Sequence, residues 1–363
     1  MDQVIPTPDV LPIPAPDWLF LFLLIFTFLI HLVFMNCLFG GTIYAAISYI
    51  KGKKDPNSAY LSQKMFNFMP VVIAFAVNFG VAPLLFAQTL YGHLLYSSSI
   101  LMANYWFAIV PMIITGYYGA YLLKFKWDKL KKSHIYVTSG VALIFSAVAF
   151  MFVNNMTLML TPQEWFEHYF KNPATGSLNW GDMQIYPRYI HMLLGAVSVS
   201  GVWIMIIGAR RKTGDAEWSD WAVKKGYKVF LWATMINILI GVWFLLAIPG
   251  NIAMSFLGRD AAATITFVFS LVLLAAAIIY LRKASKSPEN IRSTFYGAGF
   301  LLGVLTLMII MRHQLRAFYL EPVFTLDQLH SEPQWMAFSI FAVFLVIGFA
   351  AAGYMIRVVL KSN

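Results

Sequence analysis

Cysteine and charge are the scarce components of this sequence. Cys37 is the only cysteine, which excludes an internal disulfide, a cysteine-ligated iron–sulfur cluster and the Cys-x-x-Cys-His motif that attaches c-type haem. Cys37 lies within an apolar run, where a small packing residue is expected rather than a reactive thiol. Charged residues make up only 12% of the chain against 60% hydrophobic residues. That balance excludes a soluble globular protein.

Long apolar runs dominate the chain instead. A helix needs roughly 20 apolar residues to cross the hydrocarbon core of a bilayer, and about nine runs meet that length. We therefore predict an all-α integral membrane protein, with a single transmembrane bundle over residues 17–363. The predicted spans lie near residues 18–50, 66–97, 101–125, 135–160, 188–209, 227–249, 262–281, 294–315 and 335–358.

The first sixteen residues differ from the rest because they are rich in proline, at positions 6, 8, 12, 14 and 16. Repeated proline disfavours a helix, so residues 1–16 are predicted to be an extended lead-in on the external side. No basic residue precedes the first apolar run. A cleavable signal segment is therefore not expected.

Lysine and arginine are concentrated in alternate loops. The net charge of +10 would suit a nucleic-acid-binding protein, but these cations lie in short segments between apolar runs, which excludes that class. The loops after spans one, three, five and seven are basic, as is the C-terminus, whereas the intervening loops are nearly free of positive charge. The positive-inside rule therefore predicts an external N-terminus and a cytoplasmic C-terminus.

Aspartate and glutamate are missing from the interior of the spans, but several histidines are present there. Ionisable residues are costly in hydrocarbon and commonly mark a functional site. A rise of ~1.5 Å per residue from the cytoplasmic anchor of each span places three histidines at about 30, 28 and 31 Å. These are His31, His191 and His313, counted from Lys51, Arg210 and Arg292. The three are therefore predicted to lie level, near the outer boundary.

His93 lies higher, at about 43 Å from Lys64 by the same rise. A lone histidine at a span end is usually an interfacial residue, whereas three at one depth favour metal ligation. Neutral imidazole is a common metal ligand, and two imidazoles can bind one haem iron axially. The candidate iron ligands are therefore His31, His93, His191 and His313. Without an attachment motif, the haem would be non-covalent and of b type.

Small residues follow His191 along one face of its helix. Gly195, Ser198 and Gly201 recur at helical spacing and would let a flat porphyrin lie close to the backbone. The alternative is that these small residues let neighbouring helices pack closely, as is common in membranes.

Arginines flank two of the candidate ligands. Arg188 lies one turn before His191, and Arg312 and Arg316 flank His313. Each would suit a haem propionate, because guanidinium pairs well with carboxylate. The alternative is that these arginines anchor span ends at the interface.

Short motifs occur along the chain in a distinctive order. They are Ile30-His31-Leu32-Val33-Phe34 in span one, Asn78-Phe79-Gly80-Val81-Ala82 in span two, Trp127-Asp128-Lys129-Leu130 after span three, and Tyr189-Ile190-His191 followed by Gly195 in span five. In this order, on nine spans with an external N-terminus, they resemble subunit I of the cytochrome bd quinol oxidases. The resemblance covers residues 17–210 and fades over residues 211–363. It implies that His31 and His191 ligate haem, that quinol is the substrate, and that the chain resides in a bacterial cytoplasmic membrane.

The sequence also departs from that family, as a divergent and shortened relative would. The family carries glutamates in span three, where residues 101–125 contain no acid, and a glutamate before its Gly-Arg-Gln-Pro-Trp motif, where this chain has Ile309 and Ile310 ahead of Arg312-His313-Gln314. Its long external quinol-binding loop is reduced here to a short segment around Pro249-Gly250-Asn251. The methionine ligand of its span seven is missing, and Met235 on span six is predicted to lie too deep to meet His191.

The resemblance implies haem and quinol chemistry, whereas the missing carboxylates argue against oxygen reduction fed by protons from the cytoplasm. We therefore expect an electron-transfer subunit with one or two b-type haems that oxidises quinol near the outer face. Its electrons would pass to a partner cytochrome, of c type, in a complex with other membrane subunits. The alternatives are a divergent bd-type terminal oxygen reductase and a non-haem membrane anchor or transporter.

The external segment Thr161–Pro187 is the candidate for closing the quinol site. Glu164, Glu167 and His168 are its candidate proton acceptors, and hence the candidate catalytic residues. Its aromatic side chains would cover a haem or quinone ring; these are Trp165, Phe166, Tyr169, Phe170 and Trp180. The alternative is an aromatic belt at the membrane surface.

Overall fold

The computed structural model describes residues 5–130, 133–171, 175–210 and 216–362. Within these ranges, nine helices are long and apolar enough to cross a membrane, which confirms the predicted all-α class and the number of spans. The helices are α1 (Asp17–Gly52), α2 (Pro56–Met102), α3 (Asn104–Phe107), α4 (Ile109–Phe125), α5 (His134–Leu160), α6 (Trp165–Lys171), α7 (Ile185–Ala209), α8 (Ala216–Ala247), α9 (Gly250–Met254), α10 (Ala261–Lys286), α11 (Ile291–Leu320) and α12 (Trp335–Ser362). Helices α3 and α4 together form the third span. We call the side at which α1 begins the outer face, following the predicted orientation.

Local sequence explains why α2 is longer than its predicted span. Its start is set by Asp55, whose side chain accepts a hydrogen bond from the backbone N of Asn57 at 3.1 Å, with Pro56 at the first helical position. This is a favourable N-cap combination. At the outer end, the helical backbone is interrupted at Tyr91 (φ −133°, ψ 26°), and the helix ends at Ala103, which has a positive φ of 42°.

Helices α1 and α7 cross in close contact at a glycine. A Cβ atom added to Gly40 would lie 2.0 Å from the carbonyl O of Ala196. Nearby, Ser200 Oγ donates a hydrogen bond to the carbonyl O of Asn36 at 3.2 Å. Only glycine permits so close an approach of two backbones. This crossing fixes the relative height of every residue farther out on the two helices.

Glycines also set the contact between α7 and α8. A Cβ on Gly201 would lie 2.5 Å from the backbone N of Phe230, and one on Gly226 would lie 2.5 Å from the carbonyl O of Gly201. Helices α10 and α11 pair in a similar way, where Gly297 faces the side chain of Leu281. The bundle is thus held by close backbone approach at a few positions, as expected where lipid replaces water.

The described part of the lead-in, residues 5–16, contains no helix. It is fastened to the segment before α12: Ile13 N donates to the carbonyl O of His330 at 2.8 Å, and Glu332 N donates to the carbonyl O of Ile13 at 3.0 Å. Nearly all described side chains of α12 are exposed. Helix α12 is therefore the span least involved in the packing of the bundle.

Candidate functional site

His31 and His191 lie at the same height above the crossing of α1 and α7. The crossing is centred on residues 36–40 of α1 and 196–200 of α7. Each histidine lies seven residues outward from the centre of its own segment, which is about 10 Å along each helix. This is the arrangement that the sequence spacing predicts.

The ring of His31 is held against α2. Its Nδ1 lies 2.8 Å from the carbonyl O of Ala76. Because a carbonyl oxygen only accepts, Nδ1 carries the proton, and Nε2 keeps the lone pair that a metal needs. Gly80 closes the other side, since a Cβ there would lie 2.9 Å from His31 Cε1. Contacts on α2 therefore set both the tautomer and the orientation of His31.

His191 faces α8. A Cβ on Gly241 would lie 3.3 Å from His191 Cε1, and the ring also lies beside the backbone of Asn237. Its Nδ1 is buried and makes no hydrogen bond of standard geometry within the described part of the chain. Met235 lies six residues inward from Gly241, about 9 Å deeper, so it does not reach His191.

His313 lies on α11 near the same height. The guanidinium of the adjacent Arg312 lies 4.6 Å from the centroid of the Phe28 ring, and Phe28 is one turn outward from His31. Like that of His191, the Nδ1 of His313 is buried without a hydrogen-bond partner among the described residues. Three helices thus bring His31, His191 and His313 to one level, although each ring contacts different residues.

Three partly or fully buried arginines lie close to these histidines; we call Arg188, Arg312 and Arg316 the arginine cluster. Arg188 and Arg316 lie about one turn outward of His191 and His313, and Arg312 is adjacent to His313. The three arginines act on one another electrostatically. The guanidiniums of Arg188 and Arg316 lie over the rings of Phe244 and Tyr91, at 5.1 and 4.7 Å from the ring centroids. Within the described ranges, none of the three forms an ion pair with an acid, and Arg188 Nε and Arg316 Nη1 are buried without hydrogen bonds.

Buried cations without anionic partners are strongly unfavourable. Asp182 acts on Arg188 through space without forming an ion pair among the described residues, so an anion bound at the cluster would stabilise it. A haem supplies two propionates at one edge, and imidazole nitrogens without partners lie one turn away, at His191 and His313. The donor set thus fits the group that the resemblance implies.

His93 lies apart from the other histidines. It is thirteen residues beyond Gly80 on α2, about 20 Å farther outward along the helix. Its ring packs edge-on against Phe324, with 4.7 Å between centroids. Its assignment as an iron ligand remains a prediction, and the structure does not bring it to the level of His31.

The small residues after His191 face α8. The side chain of Asn237 approaches Gly195, with 3.5 Å between Nδ2 and a Cβ added there, and Ser198 Oγ lies 2.7 Å from Thr234 Oγ1. At Gly201 the backbone of α8 fills the face completely. Close helix packing therefore accounts for Gly201, whereas a cofactor role for Gly195 and Ser198 remains a prediction.

A cavity of about 770 Å³ opens under the external segment between α5 and α7. It is lined by all three predicted proton acceptors, Glu164, Glu167 and His168. Glu164 Oε2 lies 3.9 Å from His168 Nε2. Burial, together with the nearby charge of Asp182, raises the pKa of the Glu164 carboxyl.

The aromatic residues of this segment divide into three groups. Trp165 is buried and donates through Nε1 to the carbonyl O of Leu158 at 2.7 Å, so it packs rather than covers a ligand. Trp180 lines the cavity. Phe166 and Tyr169 both contact Phe170, and all three are exposed, as an aromatic belt would be.

The sequence interpretation missed several lining residues. Asp182, Gln184 and Tyr319 all line the cavity. A signal was available for the first two, because Asp182 and Gln184 immediately precede α7 and lie within six residues of Arg188. No comparable signal marks Tyr319, which reaches the cavity only through the packing of α11.

A metal ion held by protein side chains alone would be a different kind of site from a haem. Across the described ranges, no three His, Cys, Asp or Glu residues gather closely enough to hold a metal ion together. A haem iron takes at most two axial protein ligands. The histidines described above therefore suit haem rather than a metal held by side chains alone.

Comparison with solved structures shows what this fold is similar to. A chain of the bd oxidase from Geobacillus thermodenitrificans matches with a TM-score of 0.71 and 14% sequence identity, over 96% of this chain and 99% of that one. At that identity the likeness establishes a shared fold, and it confirms the predicted resemblance at that level. The shared fold extends beyond residue 210, where the sequence resemblance fades. No family model and no curated protein matches the sequence.

Proposed function

We propose that this protein is a haem-binding electron-transfer subunit that oxidises a quinol near the outer face and passes the electrons to a partner cytochrome. The observation that carries the proposal is the arginine cluster, which forms no ion pair among the described residues and lies within about one turn of His191 and His313, whose buried Nδ1 atoms make no hydrogen bond of standard geometry there. A b-type haem would satisfy both sets of groups and would relay single electrons when bound. The fold shared with a bd oxidase chain supports the same class of membrane protein.

The residues that would hold the haem have separate tasks. His31 offers Nε2 as an axial ligand because Ala76 fixes its tautomer. The buried Nδ1 atoms of His191 and His313 make no hydrogen bond of standard geometry among the described residues, and these two imidazoles are the other proposed ligands. The arginine cluster would bind the propionates and thereby hold the ring edge toward the outer cavity.

The cavity under the segment that connects α5 to α7 is the proposed quinol site. Its volume of about 770 Å³ is within the range of small-molecule pockets. Glu164 and His168 would accept the quinol protons, and both border the cavity, so the protons would leave toward external water. Trp180 provides an aromatic wall for the quinol ring.

The partner is proposed from the charge of the outer segments. Their acids outnumber their bases outside the arginine cluster, which are Lys171 and Arg259; the acids are Asp2, Asp9, Asp17, Glu164, Glu167, Asp182, Asp260, Glu321, Asp327 and Glu332. Such a surface favours a cationic partner, which suits a basic soluble cytochrome of c type. Electron transfer to that partner should slow as ionic strength rises, and a rate independent of salt would exclude this docking mode.

A bd-type terminal oxygen reductase is the second candidate. The fold shared with a bd oxidase favours this candidate. The third span argues against it, because it lacks the carboxylates that deliver protons in the family that the sequence resembles. An oxygen reductase needs a haem iron with an open coordination position, whereas an electron-transfer protein does not.

The purified protein distinguishes these proposals by spectroscopy. A reduced-minus-oxidised difference spectrum should show b-type haem bands, and a short-chain quinol should reduce them. Carbon monoxide added to the reduced protein should leave the bands unchanged. A shift with carbon monoxide would favour the oxygen reductase, and a spectrum without haem bands would overturn both proposals.

Replacing Glu164 by glutamine should change the pH dependence of quinol oxidation. Because the pKa of Glu164 is raised, its carboxyl stays protonated to higher pH than usual. Only the ionised carboxylate can accept a proton, so the wild-type rate of quinol oxidation should fall as pH falls through the pKa of Glu164. E164Q should lose this limb and slow oxidation about 10- to 100-fold, the lower part of the range for general base catalysis. Steady-state rates across pH, divided by those of the exposed control E332Q, would measure the effect. A parallel pH profile in E164Q would exclude Glu164 as the acceptor.

A further inference from the structure

Lysines and aromatic rings alternate where α2 and α8 begin, at the end of the bundle opposite the outer face. Lys64 Nζ lies 4.4 Å from the centroid of the Trp218 ring and 5.3 Å from that of the Tyr60 ring. Lys225 Nζ lies 5.8 Å from the centroid of the Trp221 ring. The Trp218 ring contacts those of Tyr60 and Trp221, at 4.9 and 6.4 Å between centroids. We call these five residues the lysine–aromatic surface.

Contacts between helices hold this surface in place. Trp218 is buried, and its Nε1 donates a hydrogen bond to the carbonyl O of Asn57 at 3.4 Å, which joins the start of α8 to the first turn of α2. An ammonium group is attracted to the face of an aromatic ring, so Lys64 and Lys225 are partly oriented by the rings beneath them. An oriented side chain loses less conformational entropy when it binds an anion.

Positive charge accumulates around the lysine–aromatic surface. Lys51 and Lys228 act electrostatically on Lys225, and Asp55 is the acid that does so. Residues 51–64 and 216–228 together contain seven lysines and three acids. The surplus of cations favours an anionic ligand.

Exposed apolar side chains continue from the two lysines along the spans. Phe68 and Val71 follow Lys64 by four and seven residues on α2, and they are 47% and 50% exposed. Trp232 follows Lys225 by seven residues on α8 and is 69% exposed. Residues at these spacings share one face of a helix. A phospholipid matches both parts of the arrangement, because its phosphate lies at the membrane interface and its acyl chains lie in the hydrocarbon, whereas free phosphate would use only the lysines.

We propose that the lysine–aromatic surface binds one anionic phospholipid. Lys64 and Lys225 bind its phosphate, and its acyl chains lie along the exposed apolar faces of α2 and α8. The rings of Tyr60 and Trp221 lie at the level of the headgroup, where tyrosine and tryptophan are favoured in membranes. Basic pockets between spans bind anionic headgroups in the same way. This site is independent of haem and quinol, so it does not rest on the proposed function.

The test is lipid binding by the purified full-length protein after removal of lipid in detergent. Phosphatidylglycerol and phosphatidylcholine with the same acyl chains are titrated separately, and native mass spectrometry counts the lipids that remain bound. One phosphatidylglycerol should bind about 5- to 25-fold more tightly than phosphatidylcholine, since each nearby lysine contributes about fivefold toward an anionic lipid. Equal affinities for the two lipids would overturn the proposal.

Replacing Lys225 by glutamine should weaken binding of phosphatidylglycerol about fivefold and leave that of phosphatidylcholine unchanged. The matched control is K283Q, which changes an exposed lysine at the same end of the bundle, in the last turn of α10. K283Q should bind both lipids as the wild type does. An equal loss in K225Q and K283Q would show that charge at this end of the bundle, rather than the lysine–aromatic surface, attracts the lipid.

Two further measurements use the wild type alone. Inorganic phosphate at millimolar concentration should leave phosphatidylglycerol bound, and its displacement by phosphate would show that the site takes free phosphate instead of a lipid. If K225Q does not fold, the dependence on ionic strength decides. Retention of phosphatidylglycerol should fall as salt rises, because salt screens exposed charges, and retention independent of salt would refute the proposal.

Discussion

Replacing His191 by alanine should remove one low-spin haem signal from the reduced-minus-oxidised spectrum. The effect should be nearly complete for that haem, because alanine offers no ligand and Gly241, on the facing helix, has no side chain to replace it. Met235 cannot substitute, since it lies about 9 Å deeper on α8. Spectra at matched protein concentration, together with extracted haem content, would measure the loss.

The control for H191A is H330A. His330 is 70% exposed and lies in the external segment before α12, so its loss should leave the whole spectrum intact. A second control is H134A, which removes a buried histidine stacked on Tyr49, away from the cluster, at the other end of the spans. If H191A retained every haem band, His191 would not be a ligand.

Replacing Gly40 by alanine should disrupt the crossing of α1 and α7. The new Cβ would lie 2.0 Å from the Ala196 carbonyl O, a backbone atom that cannot move without displacing α7. Overpacking of this kind costs about 1–3 kcal/mol or more, and here it would also shift His31 relative to His191. The expected result is a lower midpoint of thermal unfolding in detergent, with loss of haem before the protein unfolds.

The matched control for G40A is G140A on α5. Nothing lies within 4 Å of a Cβ added to Gly140, and alanine is favoured over glycine within a helix by about 0.5–1 kcal/mol. G140A should therefore be as stable as the wild type or more so. Equal stability of G40A and G140A would show that α1 and α7 do not meet as described.

The spans and the heights of the histidines follow from the sequence because both depend on length along a helix. Apolar runs near 20 residues give the nine spans, and the constant rise per residue gives similar heights for His31, His191 and His313. The same rise explains why Met235 fails to meet His191. These inferences need no knowledge of which helices are neighbours.

The sequence does not show which helices, and hence which residues, face one another in the bundle. In the sequence, Gly201 is equally consistent with contact to a porphyrin and with close packing of a helix. The position of α8 shows that Gly201 packs against a helix. The small residues that hold His31 and His191 in place, Gly80 and Gly241, come from helices whose pairing the sequence does not specify. The hydrogen bonds that join Asp182, Gln184 and Arg188 depend on the irregular backbone before α7. The sequence has no periodic pattern there from which these contacts could be predicted.

The outer cavity also has a consequence for how the protein is made. Its walls come from Tyr105 on α3, from the segment between α5 and α7, from Pro249 after α8 and from Tyr319 on α11. During synthesis these parts leave the ribosome in that order, so the cavity lacks a wall until the eighth span has entered the membrane. An incomplete chain would therefore carry only part of the proposed quinol site, and the quinol oxidation proposed for it should begin only once insertion is nearly finished.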